Sequence, residues 1–423
     1  MYYKEAINFI NKLQAKGIKP RLDNIALALS YFGQPQLHFS AIHIAGTNGK
    51  GSTAVILAKI LETAGYKVGL FTSPHLHSVR ERIQINSKLI SKEEFAFFVK
   101  EIKRYLSNNE LTYFEFLTLL CFIYFAENKV DLAVIETGMG GRLDATNLLL
   151  PKVSIITNIA LEHQRWLGCS LKKIAFEKAG IIKSKRPLLT GVTQKHLISL
   201  FSKICQIKKA PIYRLGKDIK HYKTKIGFNY LGIKKYIPSL SLNLFGPHQI
   251  KNATLALGAI ELLENQGFLI EEKAIRVALK TVTWPGRWEV VNEKPKVVLD
   301  GAHNPAGISA LKKTLSLYQF NNLILILGIM KDKNIKKMIK ILFPLANILI
   351  LTAPKIERAA DPEFLKKIVQ KYNQKIEIKT ISSIPKAIKI ALSIAYPDDL
   401  VLITGSLYTV AEAREVFIKC IPE

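Results

Sequence analysis

The segment Ala41-Ile-His-Ile-Ala45 followed directly by Gly46-Thr-Asn-Gly-Lys-Gly-Ser52 constrains this chain more than any other. A short apolar run reads as a buried strand, a glycine-rich stretch follows with no spacer, and Thr53 to Ala64 carries a helical pattern. Strand, glycine loop and helix in that order are what a phosphate-binding loop requires. Small residues let backbone N–H groups approach phosphate oxygens, Lys50 can reach the β- and γ-phosphates, and Ser52 stands at the mouth of the helix. The loop departs from the commonest pattern because position 44 is Ile rather than the first glycine.

Residues 1–39 read as helices, and further strand-like runs at Lys67–Phe71, Leu132–Glu136, Val153–Asn158 and Leu188–Val192 make the first part a parallel α/β domain. From about residue 295 strands at Lys296–Leu299, Leu323–Leu327, Ile348–Leu351, Ile376–Thr380 and Val401–Thr404 alternate with helix-length segments, which predicts a second, smaller doubly wound sheet. A chain of 423 residues exceeds what one core usually serves. The junction near Trp284-Pro-Gly-Arg-Trp288 gives domains at 1–286 and 287–423.

The apolar stretches are too short to cross a bilayer, and the first residues lack a signal-peptide pattern, so a cytoplasmic enzyme is expected. Cys121, Cys169, Cys205 and Cys420 show no paired spacing and are expected as reduced thiols. The formal charge of +28 raises nucleic acid or anionic membrane as partners, but the lysines are spread along the whole chain and interleaved with isoleucine. An anionic substrate would still benefit from that field.

Several other segments carry chemistry. Glu136, at the end of a strand and before Thr137-Gly-Met-Gly-Gly-Arg-Leu-Asp-Ala-Thr-Asn147, can hold the magnesium that bridges phosphates, or can simply cap a tight turn. His163 follows the next strand, and its position is expected to fall beside Glu136 on a neighbouring strand. Lys178 ends a helix before Gly180, where a lysine ordinarily interacts with the helix dipole. Arg287, Asp300 and His303 gather a guanidinium, a carboxylate and an imidazole at the domain junction; Asp300-Gly could also be a plain turn and Asn304-Pro a plain helix start.

Together these segments resemble the folylpolyglutamate synthase and dihydrofolate synthase family, a branch of the Mur-type amide ligases. The resemblance covers nearly the whole chain. Its marks, in order, are the glycine loop, Thr72-Ser-Pro-His-Leu76, Glu81-Arg-Ile83, Thr112-Tyr-Phe-Glu115, Glu136 to Asn147, His163 with Trp166-Leu-Gly168, Glu177-Lys-Ala-Gly-Ile181, Gly246-Pro-His-Gln249 with Asn252-Ala253, Pro285-Gly-Arg287 and Asp300-Gly-Ala-His-Asn-Pro305. It implies an N-terminal P-loop-type Mur ligase domain with a parallel central sheet and a smaller C-terminal Rossmann-like domain.

It further implies that Thr47, Asn48, Gly49, Lys50, Gly51 and Ser52 cradle ATP phosphates, that Asn252, Arg287 and Asp300 complete the nucleotide site between the domains, and that His303 lies near the transferred group. Ser73, Glu136 and His163 would bind two Mg²⁺ ions, and Lys178 would carry a carbamate, which replaces the dipole reading of that residue. Lys50, Lys178 and His303 are thus the expected catalytic groups. The pterin part of the acceptor should meet Gly17, Ile18, Lys19 and Pro20, then Thr112, Tyr113, Phe114 and Glu115, then Leu143, Asp144 and Ala145. Phe114 could offer an aromatic face or could be core. Relatives usually carry aspartate where Glu162 stands, and Gln164-Arg165 replace a pair that often includes an acidic residue, so Arg165 is expected to bring positive charge close to the metals.

The expected reaction joins L-glutamate to dihydropteroate and to tetrahydrofolate through an acyl phosphate, by a monomer acting on small molecules without nucleic acid or membrane. Chain lengthening alone is the nearest alternative. A cell-wall Mur-type ligase would need a substantial extra N-terminal domain, and a nucleic-acid-binding ATPase a basic stripe interleaved with aromatics.

Overall fold

The computed structural model describes residues 1–105, 110–372 and 376–418, leaving Cys420 outside. They divide into two compact units, Met1–Asn243 with Gln249–Val282, and Leu244–His248 with the chain from Thr283 onward.

The first unit is built on an eight-stranded sheet: β1 (Ser40–Ala45), β2 (Val68–Phe71), β3 (Ile83–Ile85), β4 (Lys88–Leu89), β5 (Leu132–Glu136), β6 (Val153–Ile156), β7 (Leu188–Thr190) and β8 (Ile212–Arg214), in spatial order β4-β3-β2-β5-β1-β6-β7-β8. From β2 to β8 every pairing is parallel. β5 and β6 are buried along their whole length because helices cover both faces, which is why they read as apolar runs broken only by Glu136 and Ser154. The helix Tyr113–Glu127 is apolar around its circumference and sits inside a core with Ala6, Ile10, Leu29, Phe71 and Ile135. On another side Ala45, Ile156, Ile174, Ile181 and Phe201 form a second cluster beneath the helices Leu171–Ala179 and Lys195–Ile207. Burial of each such large side chain contributes roughly 1.5–3 kcal/mol.

Chain order and spatial order differ in a way that builds the site. β1 lies between β5 and β6, so the segments that leave the C-terminal ends of β2, β5, β1 and β6 emerge side by side. This also corrects one expectation: Glu136 ends β5 and His163 follows β6, so β1 separates their strands and the two are not on neighbours. The sheet is parallel except at one edge, where β3 and β4 run antiparallel. A separate antiparallel sheet of β9 (Lys220–Thr224), β10 (Gly227–Leu231) and β11 (Tyr236–Leu240) had no counterpart in the sequence reading, since Lys220-His-Tyr-Lys-Thr224 has no apolar alternation to announce a strand.

The second unit holds a six-stranded sheet: β12 (Glu289–Glu293), β13 (Lys296–Asp300), β14 (Leu323–Leu327), β15 (Ile348–Leu351), β16 (Glu377–Thr380) and β17 (Leu400–Thr404), in order β12-β13-β17-β14-β15-β16. β12 is antiparallel and the rest are parallel. Val298, Leu325, Ile339, Leu349 and Leu402 lie in its core. Among the described residues no helix is long and apolar enough to cross a membrane, and Cys121, Cys169 and Cys205 are free thiols.

Candidate active site

The glycine loop is held by its neighbour after β6. Asn158 brackets Asn48, its Oδ1 accepting from the Asn48 N–H at 3.0 Å and its Nδ2 donating to the Asn48 carbonyl at 2.8 Å. The Thr157 hydroxyl donates to the same carbonyl at 2.7 Å, and Thr47 exchanges hydrogen bonds with Ala160. A Cβ at Gly46 would collide with the Thr157 hydroxyl, and one at Gly49, where φ is +80°, would strike the Asn252 side chain. Asn252, expected at the nucleotide, is therefore packed on the loop, steadied by its bond to Gln249 at 2.9 Å. The helix Lys50–Thr63 starts here, so the unpaired N–H groups of its first turn and Ser52 stand where an anion is favoured. Thr157 and Asn158 were not singled out from sequence, although both lie at the end of the strand-like run Val153–Asn158.

Beside the loop, Glu136 is 3 % exposed, with Oε1 at 3.6 Å from Lys50 Nζ and Oε2 accepting from the Ser73 N–H at 3.2 Å. Three expected residues from three segments thus meet. Lys178 is also buried, and its Nζ donates to the Gly46 carbonyl at 2.7 Å rather than to the end of its own helix. Burial, with Lys50 adding to it, lowers the Lys178 pKa to about 7 against the opposing pull of Glu162, Asp144 and Glu136. Glu162 is therefore felt at the buried amine. The Arg165 guanidinium lies over the exposed Trp166 ring at 5.4 Å. His163 is exposed, has a left-handed φ of 51° and precedes the one-turn helix Gln164–Leu167.

Glu136 and Ser73 offer hard oxygen donors of the kind Mg²⁺ takes. Among the described residues no group of three or more His, Cys, Asp or Glu side chains is placed to hold a metal. A cation here would draw on one buried carboxylate and complete its shell with hydroxyl, phosphate or water oxygens, as Mg²⁺ commonly does.

The three acceptor segments are linked in a chain. Lys19 pairs with Glu110 at 3.4 Å, which brings the exposed turn Gly17–Pro20 next to the start of the second segment. Thr112 and Glu115 close a capping box on the helix Tyr113–Glu127, Glu115 Oε2 accepting from the Thr112 N–H at 2.8 Å. The other oxygen, Glu115 Oε1, is buried and has no hydrogen-bond partner. Tyr113 lies under Arg82 at 5.5 Å. The half-buried Phe114 ring packs on Phe71 at 5.8 Å and so closely on Gly138 that a Cβ there would sit 2.5 Å from it. It therefore both packs against the core and meets Gly138 in the loop that leads to the third segment, where Leu143 is half-buried and Asp144 and Ala145 are buried.

In the second unit Asp300 spans the β13 turn: Oδ2 accepts from the Trp288 N–H at 3.1 Å and Oδ1 from the Ala302 N–H at 3.0 Å. Gly301 leaves room for Arg287, which donates to the Gly286 carbonyl at 3.1 Å, and His303 Nδ1 donates to the Gly301 carbonyl at 2.9 Å. These three are brought together. Asn304 caps the helix Pro305–Leu315, as the plain reading of Asn304-Pro had it.

Residues 44–260 match the Mur ligase middle domain and residues 286–407 the Mur ligase glutamate ligase domain, which sets the class as an ATP-dependent ligase of the Mur type. The Bacillus subtilis dihydrofolate synthase/folylpolyglutamate synthase is 35% identical over 98% of this chain and 98% of its own length. A probable bifunctional folylpolyglutamate synthase/dihydropteroate synthase of Haloferax volcanii is 34% identical across 100% of this chain, which spans 51% of that longer protein. Among solved structures, Mycobacterium tuberculosis folylpolyglutamate synthase complexed with ADP superposes with a TM-score of 0.91 at 30% identity, covering 100% of each chain. Escherichia coli FolC in complex with DHPP and ADP superposes with a TM-score of 0.88 at 30% identity, covering 97% of each. The chain belongs to the folylpolyglutamate synthase and dihydrofolate synthase family of the Mur ligases.

Proposed function

We propose that this chain uses ATP to join L-glutamate to dihydropteroate, forming dihydrofolate, and to tetrahydrofolate and its polyglutamates. The observation that carries the reading is the meeting of Lys50, Glu136, Ser73 and Lys178 at a glycine loop, on the same sheet edge that leads to the segment 138–147. The Escherichia coli relative bound to DHPP and ADP supports the acceptor and the nucleotide.

In this reading the N–H groups of the glycine loop and the Lys50 ammonium hold the ATP phosphates while an acceptor carboxylate attacks the γ-phosphate in line and ADP leaves with the bridging oxygen. The acyl phosphate so formed is attacked by the neutral amine of glutamate, and collapse of the tetrahedral adduct yields the amide and phosphate. Phe114 gives the flat ring a face, and Asp144 and Ala145 border it. Glu136 and Ser73, with His163, are the proposed holders of two Mg²⁺ ions, which when bound neutralise phosphate charge. In the second unit Arg287, Asp300 and His303 are assigned to the nucleotide and the transferred group.

Lys178 is assigned a carbamate. A lysine must be neutral to add to CO₂ with loss of a proton, and a pKa of about 7 makes the neutral amine abundant near physiological pH. The protein is further read as a cytoplasmic monomer that acts on small molecules and binds neither nucleic acid nor membrane.

Phosphate release with ATP, Mg²⁺ and glutamate, compared with dihydropteroate, tetrahydrofolate and no acceptor, tests the proposal. Release with both acceptors and products heavier by one glutamate support it. Release with tetrahydrofolate alone leaves the chain-lengthening enzyme, the activity that the name of a Lacticaseibacillus casei relative carries. Silence with both ends it.

A further inference from the structure

The strand leading into the glycine loop carries a histidine that the roles above leave unused. His43 lies at 0 % exposure in β1, paired in register with Ile135 of β5 and Ser154 of β6. An imidazole buried among aliphatic strands is costly unless its N–H finds an acceptor. Its Nε2 lies 2.8 Å from Thr146 Oγ1, and that hydroxyl donates its single proton to Asp144 Oδ1 at 2.5 Å. Thr146 must therefore accept from His43, which fixes the Nε2–H tautomer. Nδ1 is left buried without a hydrogen-bond partner. Burial, aided by Lys183, lowers the His43 pKa to about 3, so the ring is neutral.

The far end of this relay is Asp144. It takes the Thr146 N–H at 3.1 Å on Oδ1 and the Met139 N–H at 2.8 Å on Oδ2, which closes the loop on itself across Met139 to Thr146. The bond from the Thr146 backbone would form in any Asx-type turn, and the one from Met139 reaches back across five residues. The third, through the Thr146 hydroxyl, is the one that ties the loop to the central strand.

We infer that His43 is a positioning residue: acting through Thr146, it aims the Asp144 carboxylate and sets the Met139–Ala145 backbone against the flat ring of the acceptor. The inference rests on the acceptor assignment proposed above. It predicts that losing the imidazole N–H weakens the acceptor and spares ATP, whose loop is braced instead by Thr157 and Asn158.

The test is steady-state kinetics with dihydropteroate and ATP varied separately for wild type, His43→Leu, His43→Gln and Thr146→Val. Leucine keeps apolar bulk without the donor, and glutamine returns an N–H close to the place of Nε2–H. For His43→Leu the KM for dihydropteroate rises several-fold, up to about tenfold, the size expected for one buried hydrogen bond between neutral groups, while the KM for ATP stays within about twofold. His43→Gln recovers most of the loss, and His43→Leu with Thr146→Val together is no worse than Thr146→Val alone. Should His43→Leu fail to fold, Thr146→Val, which removes the hydroxyl at nearly constant volume, carries the same expectation. Equal rises in both KM values, a fall in kcat alone, no change, or no recovery with glutamine each overturn the inference. A wild type that does not consume dihydropteroate defeats the acceptor assignment itself, and this inference falls with it.

Discussion

Lys178 Nζ lies 2.7 Å from the carbonyl oxygen of Gly46, so the last turn of the helix Leu171–Ala179 is hydrogen-bonded to the first residue of the glycine loop. An amine normally found in water is spent on a backbone carbonyl inside the protein, 4 % exposed. That burial, and the charge of Lys50, bring its pKa from 10.5 to about 7.

In CO₂-free buffer, where Lys178 carries no carbamate, the shift makes it a pH-dependent burden on the fold. Unfolded, it keeps its proton up to about pH 10.5, and folded only up to about 7. Between those values the unfolded chain binds more protons, so this residue's contribution to stability improves as pH rises and is least favourable below 7. Lys178→Met removes the titration. The melting temperature of the variant minus that of wild type therefore decreases between about pH 6 and about pH 9, read at constant ionic strength. A difference flat in pH would mean that the ammonium is solvated.

Gly46→Ala places a methyl group against the Thr157 hydroxyl, which is itself bonded to the Asn48 carbonyl. Relief requires the loop or Thr157 to move, and either movement misplaces the N–H groups meant for phosphate. Affinity for ADP, read by calorimetry, falls by at least about tenfold, or about 1.4 kcal/mol. Adding Thr157→Ala restores part of it, because the collision with the hydroxyl is gone while the Thr157 backbone N remains 3.2 Å from the new Cβ.

What the sequence disclosed and what it hid follow from one physical difference. The buried parallel strands β5, β14 and β17 are apolar but for Glu136 and Thr404 at the last positions of β5 and β17, and a run such as Leu323-Ile-Leu-Ile-Leu327 is compatible with little else. β9 is half-exposed and carries Lys220 and Lys223, β10 and β11 are interrupted by Gly227, Asn229, Pro238 and Ser239, and β3 and β4 are too short to show a period. Within the site, Gly46, Lys50 and Glu136 were legible because their residue types and their place after strands imply chemistry. Thr157 and Asn158 act by hydrogen-bonding a neighbour's backbone, and His43 looked like one polar residue in a strand. Such roles need the strand order β5-β1-β6, which sets these segments side by side and which no local pattern reveals.

Asn158→Ala tests the first of those hidden roles. The substitution removes both bonds from Asn158 to Asn48, while Thr157 keeps its own to the Asn48 carbonyl. Each lost bond is worth about 0.5–1.5 kcal/mol. The fold should lose about 1–2 kcal/mol in denaturant melts, and ADP affinity should fall about tenfold. Unchanged nucleotide affinity in Asn158→Ala would show that the loop holds its shape without this brace.

Glu136→Gln separates the metal from the nucleotide. Glutamine can still accept from the Ser73 N–H, so the local backbone is kept, but the negative charge at 3.6 Å from Lys50 is lost. Lys178 loses one of the carboxylates that favour its protonated form as well. The site becomes more positive, which disfavours a divalent cation and favours a bare polyphosphate. The Mg²⁺ concentration giving half-maximal phosphate release should rise by about tenfold or more, while ADP measured without metal binds as well as to wild type or more tightly. Equal weakening of ADP with and without Mg²⁺ would mean that Glu136 supports the glycine loop rather than a cation.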